Sequence, residues 1–320
     1  MSEVRAIGIG ELCDILLSLN KPLTLMHIRP DGDTVGSATA LAEIFRELGK
    51  GARFACADPI PERLEFLTEG IESVSCPKGF ESVSVDVPSP GQLGALFGEA
   101  DVICSIDHHG RSTPFAPHYT LGDMSSAGEV VFLVAKELTA RGALKMNERI
   151  AERLYAAISS DTGRFAYASA DSKTYERAAE LISYGIDHAE INRRLFASKS
   201  IEEIRAEGFI GERIRSSPSG LVAYATVSKA DRDEANLPFE CFETAIDIVR
   251  QLRGCRASFV VKETEGGEFK ASLRSVDVDV SEIASRHSGG GHLRAAGCTV
   301  SAGSVEEAAK ILLDELERIL

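Results

Sequence analysis

The sequence predicts an α/β protein, a parallel-sheet domain followed by a smaller α+β domain. Three observations lead there. Short apolar runs alternate with helix-period segments through the first half, the pattern of strands joined by crossover helices. Several of those runs end at an aspartate. A Pro/Gly/Ser break at Ser216–Gly220 (SSPSG) then precedes a segment with hairpin patterning.

Each element has its own signal. Leu23–Ile28 (LTLMHI) reads as a buried strand. The helix after it carries Val35, Ala38, Leu41, Ala42, Phe45 and Leu48 on one stripe and stops at Gly49. Ala52–Ala57, Gly79–Asp86 and Asp101–Asp107 are short strands; Ser126–Gly142 and Asn147–Asp161 are helices. A charged helical stretch runs from about Ser172 to Arg215. Beyond the break, Gly220–Ser228 reads as a strand, Cys241–Gly254 as a helix and Arg256–Glu263 as a strand. A turn at Glu265-Gly266-Gly267 leads into the strand Glu268–Ser275. A helix at Val280–His287, a glycine run, a strand at Leu293–Val300 and a helix at Val305–Leu320 complete the chain. The expected division is a first domain over 1–190, a helical linker over 191–216 and a second domain over 217–320.

Composition narrows the function. The chain has 320 residues and a net charge of −14, from 49 acidic and 35 basic residues. That balance opposes an extended basic groove for long duplex DNA, yet permits a local phosphate pocket in which a cation supplies the positive charge. Seven scattered cysteines without a Cys-x-x-Cys pair fit a reducing cytoplasm better than a disulfide scaffold or a thiolate zinc site. The N-terminal stretch lacks the form of a signal peptide, and no apolar run is long enough to span a membrane.

The chemistry is concentrated in a few segments. His27-Ile28-Arg29-Pro30-Asp31-Gly32-Asp33 places three metal-ligand side chains within seven residues between a strand and its helix. Imidazole with carboxylate suits manganese, zinc or iron better than calcium. A lone Asp here would be an ordinary helix N-cap. Asp107-His108-His109 ends another strand; one histidine suits a metal and the other suits proton transfer near neutral pH. Asp31, Asp33, Asp86 and Asp107 all follow the carboxyl ends of strands, the edge where open α/β sheets bind ligands. Asp86 also opens the turn Val87-Pro88-Ser89-Pro90-Gly91, a common role for aspartate. Asp161, in Ser159-Ser160-Asp161-Thr162-Gly163, is placed to join that edge. Carboxylates gathered so closely repel by about 4 kcal/mol per close pair at an effective dielectric near 20. Their number matches two divalent cations roughly 3.5–4 Å apart. In the second domain, Ser288-Gly289-Gly290-Gly291-His292 reads either as a backbone nest for an anion or as a hairpin turn. Arg274 offers a planar fork for phosphate or carboxylate. No P-loop, HExxH or GxSxG motif occurs.

In this order and spacing, HIRPDGDTVGS, DHH, SDTG and GGGH…AAG resemble the DHH phosphoesterase superfamily with its DHH-associated C-terminal domain. The resemblance spans essentially the whole chain and leans to the branch of oligoribonucleases and pAp phosphatases. It implies an active site in the cleft between two domains. It further implies that His27 and Asp31 hold a first metal, that Asp33, His108 and Asp161 hold a second, and that Asp86 bridges them. A water-derived hydroxide would be the nucleophile. His109 would be the general acid or a leaving-group contact, Asp107 would orient the histidines, and Arg274, Gly289, Gly290, Gly291 and His292 would grip the substrate. The implied cofactors are two divalent cations, manganese or else magnesium. Gln92 stands where related sequences often place an arginine.

The expected function is therefore hydrolysis of phosphoester bonds in short single-stranded oligonucleotides, in dinucleotides such as pGpG or pApA, or in 3′-phosphoadenosine 5′-phosphate (pAp). The alternatives are a pyrophosphatase or polyphosphatase, and a non-catalytic nucleotide sensor. A homodimer contact through 172–215 is a further expectation.

Overall fold

The first element of the computed structural model, which describes residues 4–320, is a helix that the sequence pattern does not announce. Helix α1 (Ile9–Ser18) buries Leu12, Cys13 and Leu16. Strand β1 (Pro22–Leu25) is buried at every position, as central parallel strands are. Helix α2 (Gly32–Glu47) is buried along most of its length, so its apolar stripe widens to include Thr34, Ser37 and Thr39. Each of those three hydroxyls reaches a backbone carbonyl. Strands β2 (Arg53–Ala55) and β3 (Glu72–Ser73) lie to one side of β1. Strands β4 (Glu81–Val85), β5 (Asp101–Asp107) and β6 (His118–Thr120) lie to the other.

All five ladders of this sheet are parallel, in the order β3-β2-β1-β4-β5-β6. The chain leaves β1 in one direction and returns to β4 in the other. The gap between the carboxyl ends of β1 and β4 is therefore the switch point of the sheet, where ligands bind in open α/β folds. Strands β3 and β6 are edge strands of two and three residues, too short and polar to stand out in the sequence.

Helices α3 (Ala127–Ala140) and α4 (Glu148–Asp161) share a core with α1 and α2. Two glycines set how closely they approach. A Cβ on Gly36 would meet the Arg153 carbonyl oxygen at 2.7 Å, and one on Gly128 would meet Ala157 at 2.6 Å. Helices α5 (Ser172–Ile182) and α6 (His188–Phe196) complete the first of two units, which ends at Ser198.

The second unit begins at Lys199, inside the stretch expected as a helical linker. It contains α7 (Ile201–Arg213), β7 (Arg215–Ser216), β8 (Val222–Val227), α8 (Lys229–Ala235) and α9 (Ala245–Val249). It continues with β9 (Ala257–Glu263), β10 (Phe269–Ser275), α10 (Val280–Arg286), β11 (Gly290–His292), β12 (Ala295–Val300) and α11 (Val305–Ile319). Its sheet runs β11-β12-β10-β9-β8-β7, with only the β8–β9 pair parallel. Residues of α7 and α9 belong to one apolar core and residues of α10 and α11 to another, with alternate residues of β9 entering each. Two details differ from the sequence pattern. The helix expected over Cys241–Gly254 is a short 3-10 turn, Phe239–Phe242, followed by α9. Phe242, Ile246 and Val249 are nonetheless buried in one core. The glycine run is a paired edge strand rather than an open turn. Among the described residues no helix is long and apolar enough to cross a membrane.

Candidate active site

The loop after β1 is built by local hydrogen bonds. Asp31 caps α2, its Oδ1 accepting from the amides of Asp33 and Thr34 at 3.0 and 3.1 Å. The N-cap reading of this aspartate therefore holds, and the same oxygen also faces His27 Nε2 at 3.7 Å. Gly32 permits the turn, since a Cβ there would collide with the Ser160 side chain at the end of α4. Asp33 then lies in the first turn of α2, almost fully buried. Its carboxylate accepts from the amides of Ala127 and Gly128 at 2.7 and 2.9 Å. The N-terminus of α3 thus holds a buried carboxylate, as helix N-termini hold anions.

Asp86 follows β4 at the switch point. Its φ is 62°, a left-handed conformation that is uncommon for any residue with a Cβ and concentrates at functional sites. Its two oxygens face opposite ways. Oδ2 lies 3.6 Å from His27 Nε2, and Oδ1 lies 3.5 Å from His108 Nε2. Oδ1 is buried and makes no hydrogen bond among the described residues. His108 Nε2 also faces Asp33 Oδ2 at 3.6 Å and Asp161 Oδ2 at 3.7 Å. Two clusters result, His27–Asp31–Asp86 and Asp33–His108–Asp161, and His109 joins Asp86 and His108 in a third, overlapping group; in each the ligand atoms lie within 4.8 Å of one another.

Both cluster histidines turn the same nitrogen inward. His27 Nδ1 contacts the Ile28 carbonyl at 2.8 Å and His108 Nδ1 contacts the Met124 carbonyl at 3.2 Å. A carbonyl accepts only from N–H, so each ring carries a proton on Nδ1 and presents Nε2 to the carboxylates. In a neutral ring that Nε2 is a lone pair aimed at negative oxygens. A cation between them resolves the conflict, and the carbonyl behind each ring is the support that metal-bound histidines normally have. Together with the orphaned Asp86 Oδ1, this donor set fits two divalent cations.

The electrostatics of the bare protein show the same tension. Burial pushes Asp33 well above the usual carboxylate range, and the Asp86 and Asp161 carboxylates push it further. Burial raises Asp161 to about 7, with His108 opposing and the Asp31 and Asp86 charges adding. Burial alone would lower His27, but the Asp31 and Asp86 carboxylates outweigh it and raise it to about 11. Without cations the site holds protons in their place.

His109 borders the clusters, its Nδ1 3.6 Å from Asp86 Oδ1. Its Nδ1 contacts Asp107 Oδ1 at 2.7 Å, and the same oxygen accepts the amides of His108 and His109. Burial would lower the His109 pKa, but Asp107 and then Asp86 raise it. This imidazole therefore keeps a proton to higher pH than a free one. Gln92 contributes its backbone, its carbonyl accepting the Ile28 amide at 2.7 Å.

In the second unit, Arg274 on β10 pairs with Ala295 of β12, which in turn pairs with the backbone of His292 on β11. The side chain of His292 lies outside the described residues. Gly289 and Gly291 pack against β12, where a Cβ on either would strike backbone atoms, while the Cβ position on Gly290 is open.

The sequence missed the supports of the site. The amides of Ala127 and Gly128 and the carbonyl of Met124 are backbone groups that no side chain announces. Only the N-cap Ser126, whose Oγ accepts the Glu129 amide at 3.1 Å, hinted that a helix begins there.

Known proteins place the chain. The DHH family N-terminal domain matches residues 23–158 and the DHHA1 domain matches residues 220–319. The chain is 29% identical to the bifunctional oligoribonuclease and PAP phosphatase NrnA of Thermus thermophilus, across 97% of this chain and 93% of that protein. It is also 29% identical to the protein of that name from Bacillus subtilis, across 90% and 91%. An exopolyphosphatase-related protein from Bacteroides fragilis has the same fold, with a TM-score of 0.87 at 22% identity over 97% of this chain and 95% of that one. With both domains matched in the same order as its two structural units, the chain joins a DHH family N-terminal domain to a DHHA1 domain.

Proposed function

We propose that this protein hydrolyses phosphoester bonds in short oligonucleotides, including dinucleotides such as pGpG and pApA, and in pAp. The observation that carries the reading is the sharing of Asp86, one carboxyl oxygen to each cluster. A carboxylate divided in this way is what two adjacent cations require. Similarity to oligoribonuclease and PAP phosphatase proteins over nine-tenths of the chain supports the substrate class.

His27, Asp31 and Asp86 would hold one cation, and Asp33, His108, Asp161 and Asp86 the other. Manganese is the proposed metal, since imidazole mixed with carboxylate suits it. When bound, the pair lowers the pKa of water to near neutrality and offsets charge on the phosphoryl oxygens. The protein's own groups do the rest. Asp107 accepts from His109 Nδ1 and favours the doubly protonated ring, which would give its Nε2 proton to the departing oxygen and be left neutral with the proton on Nδ1. Arg274 and the segment from Gly289 through β11 would contact the terminal phosphate or nucleotide. All seven cysteines are unpaired, which agrees with action in the cytoplasm.

A substrate series tests this reading. The purified protein with manganese is offered pAp, a 5′-phosphorylated diribonucleotide, a long RNA and pyrophosphate. We expect phosphate from pAp and mononucleotides from the diribonucleotide, with pyrophosphate left intact. Faster release from pyrophosphate than from either nucleotide would overturn it.

A further inference from the structure

Arg29 lies in the turn between His27 and Asp31, and nothing above gives it a role. Its φ is 54°, in the left-handed region that a long side chain rarely occupies. The surrounding bonds enforce this. The Arg29 amide donates to Asp58 Oδ2 at 2.7 Å and the Ile28 amide to the Gln92 carbonyl at 2.7 Å. The Cys56 thiol contacts the His27 carbonyl at 3.3 Å. An over-determined outlier of this kind is how sites hold a group where the relaxed chain would not. Glycine would form the same turn without strain, so what arginine adds is its side chain.

That side chain is exposed, although the neighbouring loops carry many carboxylates. Asp31, Asp33, Asp86 and Asp161 already balance the charge of two divalent cations. A hydroxide and a substrate phosphate bring further negative charge, and Arg29 is the basic residue within the loop that carries His27, Asp31 and Asp33. A guanidinium fork matches two oxygens of one phosphate.

We propose that Arg29 binds the non-bridging oxygens of the substrate phosphate, and that the left-handed turn serves to present it. The inference rests on the phosphoesterase reading, and its test keeps the two apart. Full-length manganese-loaded Arg29→Ala and Arg29→Gly are compared with the unaltered protein. The readouts are AMP affinity at equilibrium, KM and kcat for pAp, manganese content and Tm. We expect AMP Kd and pAp KM to rise about tenfold in both variants, as for a lost charge-assisted contact. We expect kcat within threefold and unchanged manganese content. Arg29→Gly should melt above the unaltered protein while binding AMP more weakly, a combination that a purely structural arginine does not produce. AMP and pAp binding within twofold of the unaltered protein in both variants would overturn the proposal, as would loss of manganese alongside AMP. Should the unaltered protein turn over no pAp while Arg29→Ala still weakens AMP tenfold, the phosphate contact stands and the hydrolase reading fails.

Discussion

At the scale of single residues, Asp33, Asp161, His27 and His109 hold their protons more tightly in the bare protein than free groups do, whereas Asp31 goes the other way, His27 and the Thr34 and Asp33 amides outweighing burial. Burial lifts Asp33 and Asp161, and neighbouring carboxylates lift His27. The sign for stability follows. A group that binds its proton more tightly when folded stabilises the fold below its unfolded pKa. That contribution is lost as pH rises through the folded value. For Asp161 the window runs from about 4 to about 7, and for His27 it opens near 6.5. The metal-free protein should therefore lose stability as pH rises from 5 to 8, and Asp161→Asn should flatten the carboxylate part of that slope in thermal melts. Cations must displace these protons. Manganese binding should then release protons and tighten as pH rises, which calorimetry in buffers of different ionisation enthalpy would detect.

The Asp107–His109 pair makes a separate residue-scale prediction. Asp107 raises the His109 pKa and orients the ring at 2.7 Å. Asp107→Asn should lower turnover by about 10²-fold or more, in the range for a misplaced acid. The acid must carry its proton to act, so activity falls as pH rises through the His109 pKa. Removing the Asp107 charge lowers that pKa, and the alkaline limb of the kcat profile should move to lower pH. A limb that stays in place would exclude His109 as the proton donor.

Elements bring these residues together. Helix α2 carries Asp33, α4 carries Asp161, and Gly36 lets them meet. In Gly36→Ala the new methyl would face the Arg153 carbonyl oxygen at 2.7 Å and Ala157 at 2.9 Å. Overpacking of this kind costs about 1–3 kcal/mol, and urea denaturation should show it together with weaker manganese binding. The strands and helices that bear the site were legible because their signals are strong: short strand-like runs rich in apolar residues before His27, Asp86 and His108, and a helical stripe after Asp33. Helix α1 and strands β3 and β6 were not, since α1 is short and the two strands are polar and lie at sheet edges. The glycine run was misleading for a related reason. Glycines suit a turn by their backbone freedom, but here Gly289 and Gly291 are needed for close approach to β12, which only the paired structure reveals.

Across the whole molecule, the proposed roles fall on two units. The first gathers ligand residues from four distant segments at the switch point of a parallel sheet, and motif order together with strand ends made that gathering legible in the sequence. The second presents Arg274 in one row with Ala295 and the backbone of His292. If it reads the substrate, Arg274→Ala should raise KM for pAp and dinucleotides about tenfold while leaving manganese content unchanged. Equal loss of manganese would place Arg274 elsewhere in the account.

The sharing of Asp86 is the central claim, and metal content tests it most directly. Manganese per chain is measured by mass spectrometry at saturating metal, with pAp turnover recorded on the same samples. We expect two ions per chain in the unaltered protein. In Asp86→Asn we expect no more than one, with turnover lower by at least about 10²-fold. One ion or none in a fully active unaltered protein, or two ions and full turnover in Asp86→Asn, would contradict it.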